Sequence, residues 1–221
     1  MRAFDAGDGE QLEKYAAARL AWIDRQLDRR SASIYIDISK HFLHGLHHPT
    51  LAQLKKRGDW PVSMIRLVRD PVANMRSYLN RNKDISLDYG APDCPFNELR
   101  LDTAELSKGE RYLHAWCETY LRGDRLIREF DLAPAETIAT DDLSDPTAVG
   151  ALLDRLGLAH GQVPFLPAQN TNVGRGFRPT ETDSKDLETF ARFMEKVPHS
   201  IRDRLPLSFA RASTSDAIPK R

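Results

Sequence analysis

One stretch of the 221-residue chain constrains the fold more than any other: Val62-Ser63-Met64-Ile65-Arg66-Leu67-Val68, then Arg69-Asp70-Pro71. The first seven residues read as a strand, because apolar and β-branched side chains suit a pleated, buried ladder. A helical run follows at once, from Val72 to about Arg81, with Pro71 at its first position, where a missing N–H costs nothing. Strand, tight turn and helix in that order make a βα unit, the building block of a parallel sheet covered by helices. The predicted fold class is therefore α/β. At 221 residues one domain with a real core is expected over residues 1–221.

The rest of the chain supplies elements of the same kind. Leu12, Tyr15, Ala16, Leu20, Ile23 and Leu27 recur at helical spacing and predict an amphipathic helix ending near Arg30. Residues 33–38 (Ser-Ile-Tyr-Ile-Asp-Ile) predict a short strand. A loop over residues 44–49 leads to a short helix from Pro49, ended by Gly58 and Pro61. Residues 87–101 read as an irregular loop that could lie over a site. A long helix is predicted over 107–130, with Leu113, Trp116, Cys117, Tyr120, Leu121 and Ile127 inward, followed by a strand over 136–140. Asp145-Pro146 predicts a capped helix through Leu156, terminated by Gly157. Residues 163–179 form a loop, 184–197 a final helix, and the tail from Ser213 is expected to fray.

Composition removes several function classes. Lys+Arg and Asp+Glu balance at 32 each, so no global field draws the chain to nucleic acid or anionic lipid. An anion site must be built locally. Two cysteines, Cys94 and Cys117, make neither a disulfide framework nor a metal cluster. No signal peptide and no membrane-length apolar run is visible, so a cytoplasmic protein is expected. His44, His47 and His48 lack a nearby acidic partner and read as a surface loop, so no metal is expected. Trp116 and Tyr120 suit core packing, and the arginine runs at 25–30 and 122–128, interleaved with acids, read as solvated helix faces.

Arg69 stands where a parallel strand ends, which is where open α/β sheets bind ligands. Ser77, eight residues on, is two helical turns in and can face the same crevice. A guanidinium fork with a hydroxyl suits a phosphate dianion. The competing reading pairs Arg69 with Asp70 or another carboxylate, leaving Ser77 a tolerated helix residue.

Strand, Arg-Asp-Pro, and helix with Ser at the eighth position resembles the 3′-phosphate-binding motif of the sulfotransferases, P-loop-like α/β enzymes that use 3′-phosphoadenosine 5′-phosphosulfate (PAPS). The resemblance implies that Arg69 and Ser77 hold the donor's 3′-phosphate. Three further segments are similar in order and spacing: residues 35–42 with Lys40 and His41, the run Thr140-Asp141-Asp142-Leu143 with its following helix, and Gly174-Arg175-Gly176. The last resembles the late basic loop over the same phosphate and implies roles for Arg175 and Gly176. His41, Asp37 or Lys40 would serve the acceptor hydroxyl or its donor contact. The likeness covers about residues 33–180 and implies sulfonate transfer to a hydroxyl or amine of a small molecule. The alternative is a non-catalytic nucleotide-binding or interaction module on the same fold.

The family opens with a strand and a glycine-rich loop for the 5′-phosphosulfate. No Gly-Lys-Ser/Thr turn occurs in this sequence, and Gly7 and Gly9 precede a helix. The first strand-and-loop unit is therefore expected to be missing, through a truncated gene start, a fragment or true loss. Neighbouring strands should be poorly covered, and weak or no transferase activity is expected of the chain as written.

Overall fold

A computed structural model describes residues 9–37, 47–58, 60–81, 97–164 and 182–209. The chain divides into two compact units, Met1–Val62 with Leu126–Leu132, and Ser63–Arg125 with Ala133–Arg221.

In the first unit, helix α1 (Gly9–Arg30) buries Ala16, Leu20 and Ile23, the inner stripe its periodicity predicts, and packs on α2 (His47–Arg57). The Arg57 guanidinium bonds the Asp24 carboxylate at 2.9 Å and lies 4.8 Å over the Trp60 ring. The strand expected over 33–38 is not found: among the described residues 33–37 pair with no strand, and residue 38 lies outside the described residues. A strand needs a hydrogen-bonded neighbour. Here alternate side chains anchor the segment to α1 instead, Tyr35 edge-on to Trp22 and Asp37 on Arg19, which leaves Ile34 and Ile36 exposed.

The second unit is α/β, with a small open parallel sheet of two strands, β1 (Met64–Val68) and β2 (Ala135–Ala139), running from Met64↔Ala135 to Val68↔Ala139. Between them come α3 (Pro71–Asn80) and α4 (Lys108–Phe130), whose last residues belong to the first unit. A 3-10 turn (Thr140–Ser144) follows β2, then α5 (Pro146–Arg155), α6 (Ser184–Lys196) and the single turn α7 (His199–Arg202). Asp145 caps α5 through the Thr147 amide, and Gly157, at φ +68°, ends it in the left-handed conformation glycine tolerates. The core gathers Val68, Val72 and Met75 with Leu113, Trp116 and Leu121 of α4 and Phe190, Phe193 and Met194 of α6. Gly109 lets these helices close up: a Cβ there would meet Met75 Sδ at 3.0 Å and Thr189 Cγ2 at 3.1 Å. One face of β1 is open, with Ile65 and Leu67 exposed. Among the described residues, no helix is long and apolar enough to cross a membrane.

α4 carries a buried polar stripe at every fourth position: Glu110, His114, Glu118 and Arg122. The expectation that Arg122 lies on a solvated face is overturned. Its guanidinium reaches Asn97 Oδ1 at 2.6 Å and pairs with Glu118, whose carboxylate accepts from the Leu99 amide at 2.6 Å. The end of the loop predicted over 87–101 is thus clamped to α4; its residues 87–96 lie outside the described residues.

At the start of α4, Ser107 and Glu110 form a reciprocal cap, the Ser107 amide donating to Glu110 Oε2 at 2.7 Å and the Glu110 amide to Ser107 Oγ at 3.3 Å. Arg192 and Lys196 of α6 close on the same carboxylate at 3.2 and 3.1 Å. Burial raises the Glu110 carboxyl, but the Ser107 hydroxyl and amide, with Lys196 and Arg192, outweigh it and hold the group down at about 2 from an ordinary 4.5. A depressed carboxyl stabilises the fold above its unfolded value and loses that contribution as pH falls through the folded one. Glu110→Gln imitates the protonated form. The variant should be less stable than wild type by up to roughly 3 kcal/mol at pH 7, the gap closing between pH 4.5 and 2. Urea unfolding of both proteins across that range checks it; a constant gap refutes the coupling.

Candidate functional site

The βα turn of the second unit is built by the residues that define it in sequence. Asp70 caps α3, its carboxylate accepting from the Ala73 amide at 2.8 Å, and Pro71 occupies the first helical turn. Arg69, one residue before the cap, is exposed at the carboxyl end of β1. Among the described residues no ion pair or hydrogen bond holds its guanidinium, so pairing with Asp70 is overturned: that carboxylate serves the helix backbone.

The backbone around Arg69 is fixed from the far side. Met64 donates its amide to Pro134 on the β2 side, so by alternation Leu67 and Arg69 turn their peptide groups to the other edge of β1. That edge is met by α4. The Tyr120 hydroxyl donates to the Leu67 carbonyl at 2.8 Å and accepts from the Arg69 amide, while the Trp116 indole donates to the Arg69 carbonyl at 3.0 Å. The two rings stack edge-on at 4.7 Å. Both residues are core residues, as their spacing predicts, but their polar tips also close the strand edge. Burial pushes the Tyr120 phenol up to about 12 against the lowering effect of the Arg69 amide, so it remains a donor at all ordinary pH.

Ser77 lies six residues beyond Pro71, about 9 Å along α3, and is half-buried. Its hydroxyl accepts from Arg81 Nη2 at 3.1 Å and its carbonyl from Arg81 Nε at 2.9 Å. Arg81 was not singled out by sequence; the signal was its i,i+4 spacing from Ser77. The Arg81 guanidinium also stands 5.0 Å over the Tyr78 ring. On the neighbouring face Arg76 Nε reaches Asp186 Oδ2 at 2.6 Å, which docks the capping box Asp183/Asp186 of α6 on α3. Residues 165–181, which contain Arg175 and Gly176, lie outside the described residues.

The remaining candidates separate from this group. Lys40 and His41 lie outside the described residues. Asp37 belongs to the first unit, where its carboxylate is taken by Arg19. His48 is engaged by Glu129 at 2.6 Å and packs on Phe130. Among the described residues no group of three or more His, Cys, Asp or Glu could hold a metal ion. A shallow depression beside α5 is lined by Pro146, Gly150, His160 and Val163, but the His160 ring is engaged by Asp154 at 3.1 Å and the Gly161 carbonyl at 2.9 Å.

Arg69, whose guanidinium has no partner among the described residues, and, further along α3, the Ser77 hydroxyl beside Arg81 are groups that suit an oxyanion. No protein-family model matches the chain, and no curated protein or solved structure matches it.

Tyr120→Phe removes one hydroxyl and leaves the Leu67 carbonyl and the Arg69 amide without that partner at a part-buried edge. The expected cost is about 2 kcal/mol, with faster amide exchange at Arg69. Denaturant unfolding with hydrogen exchange tests this; unchanged exchange at Arg69 refutes the bridge.

Proposed function

We propose that this chain grips the 3′-phosphate of an adenine-nucleotide sulfonate donor, PAPS, in the service of sulfonate transfer to a hydroxyl or amine of a small molecule. One observation carries the reading: Arg69, at the carboxyl end of a parallel strand and with no partner for its guanidinium among the described residues, leads into a capped helix that carries Ser77 two turns on. Ligands of open α/β sheets bind at that end of the strands. A fixed fork and a hydroxyl match the acceptor-only oxygens of a phosphate dianion. The small parallel sheet is compatible with the P-loop-like sulfotransferase fold, and Arg175 with Gly176 would complete the grip from the late loop. Lys40, His41 and Asp37 are the proposed groups for the acceptor side.

The second reading is a nucleotide-binding module without transferase chemistry. Both readings share the 3′-phosphate grip, and they part on turnover.

Titration with 3′-phosphoadenosine 5′-phosphate should show saturable binding that adenosine 5′-phosphate does not match. Arg69→Ala should weaken it by about 2 kcal/mol, roughly thirtyfold, through loss of a charge-assisted contact. Equal affinity for the two nucleotides, or an Arg69→Ala protein that binds as well as wild type, rejects the site. Release of 3′-phosphoadenosine 5′-phosphate from PAPS with a mixture of phenol and amine acceptors assigns transferase chemistry, and binding without release assigns the module.

A further inference from the structure

The hydroxyl of Ser77 differs from those of Thr119 and Thr189, in helices of the same unit, in what it does with its proton. Thr119 donates to the Ala115 carbonyl at 2.8 Å and Thr189 to the Lys185 carbonyl at 2.7 Å, the usual fallback of a hydroxyl inside a helix. Ser77 makes no such bond: its oxygen instead meets Arg81 Nη2 at 3.1 Å. A guanidinium has only donors, so in that contact the hydroxyl oxygen must accept, and its single proton is left for another partner. Arg81 is itself held in place, with Nε on the Ser77 carbonyl at 2.9 Å and its plane 5.0 Å over the Tyr78 ring.

We propose that Arg81 is a positioning residue of the phosphate site: by donating into Ser77 Oγ it turns the hydroxyl proton away from the helix backbone and toward an oxygen of a bound phosphomonoester. The inference rests on the reading of Arg69 and Ser77 as the 3′-phosphate grip. It adds that the hydroxyl acts there as a donor, poised by a neighbour that sequence comparison with the motif would pass over. Without Arg81 the hydroxyl is released to its own helix, four residues back at the Ala73 carbonyl, and the ligand loses the donor although Ser77 is still present. A donor in the polarised chain guanidinium to hydroxyl to phosphate is also stronger than an isolated hydroxyl.

Affinity for 3′-phosphoadenosine 5′-phosphate, measured calorimetrically on the full chain, tests this with Ser77→Ala, Arg81→Met, Arg81→Lys and the double variant Ser77→Ala/Arg81→Met. Methionine keeps an apolar stem over Tyr78 without a donor, and lysine restores a donor. The expected result is that Ser77→Ala and Arg81→Met each bind about tenfold more weakly, that the double variant is within about threefold of Ser77→Ala, and that Arg81→Lys recovers most of the loss. Residues that act through one another fail to add, whereas independent charges multiply. The assignment is overturned if Arg81→Met binds like wild type, if the double variant loses about a hundredfold, or if Arg81→Lys binds as weakly as Arg81→Met. Wild-type affinity in Arg81→Met while Arg69→Ala binds weakly removes Arg81 alone. No binding by wild type, or no effect of Arg69→Ala, removes the grip and this inference with it.

Discussion

The hydroxyl of Tyr120 is the contact on which the βα turn depends. It takes the Arg69 amide and gives its proton to the Leu67 carbonyl, the pair of groups that a single residue of an adjoining parallel strand would satisfy. Trp116 meets the next carbonyl in the same way. A sheet edge is normally a row of unmet donors and acceptors that invites another chain. Here a helix closes its last positions with two aromatic side chains. The strand end is thereby held from behind, and the exposed Arg69 side chain has no partner among the described residues.

That arrangement requires α4 to be stationary, and its buried polar stripe accounts for this. Glu110 ties the helix start to α6, His114 and Glu118 take the Leu99 carbonyl and amide, and Arg122 takes Asn97. Further along, Asp124 is met by Arg204 at 3.2 Å and Arg66 at 3.7 Å, and Arg204 also holds Glu98 at 2.7 Å. Each buried charge is costly alone and tolerable only with its partners, so the set fixes rotation and register of the helix more than apolar packing would. The same helix thus serves as core, as clamp for residues 97–99 and as the cover of the β1 edge.

The elements were largely legible from periodicity and caps, because these are local signals. Val62 to Val68 reads as a strand, Pro71 as the first turn of a helix, and Asp145 with Gly157 as the two ends of α5, and each stands within a residue or two of its expected place. What escaped depended on partners far along the chain. Residues 33–37 have strand-forming side chains, yet strand pairing is decided by a neighbour that no local pattern encodes, and Trp22 and Arg19 captured alternate residues instead. Arg122 reads as a solvated charge because Asn97, its partner, is 25 residues away, and Arg204 meets Glu98 across 106. The Ser107–Glu110 cap was within reach, since Ser-x-x-Glu before an apolar run is a local signature. Of the candidate site, the place of Arg69 at the end of β1 was readable, while the lack of a carboxylate on it among the described residues needed coordinates.

The electrostatics of α3 explain why guanidinium groups flank it. The amino end of a helix attracts anions through its free amides and dipole, but on α3 Asp70 already occupies that end and adds a negative charge of its own. Toward the other end, where Ser77 lies, the helix field turns negative and would repel a phosphate. With charges balanced over the whole chain, no distant excess corrects this. An anion beside α3 therefore needs positive charge brought by side chains, one from the strand before the helix and one from the residue that caps its end. Arg81 is suited twice over, because a cation at a helix carboxyl terminus is stabilised by the same field that would disfavour the ligand.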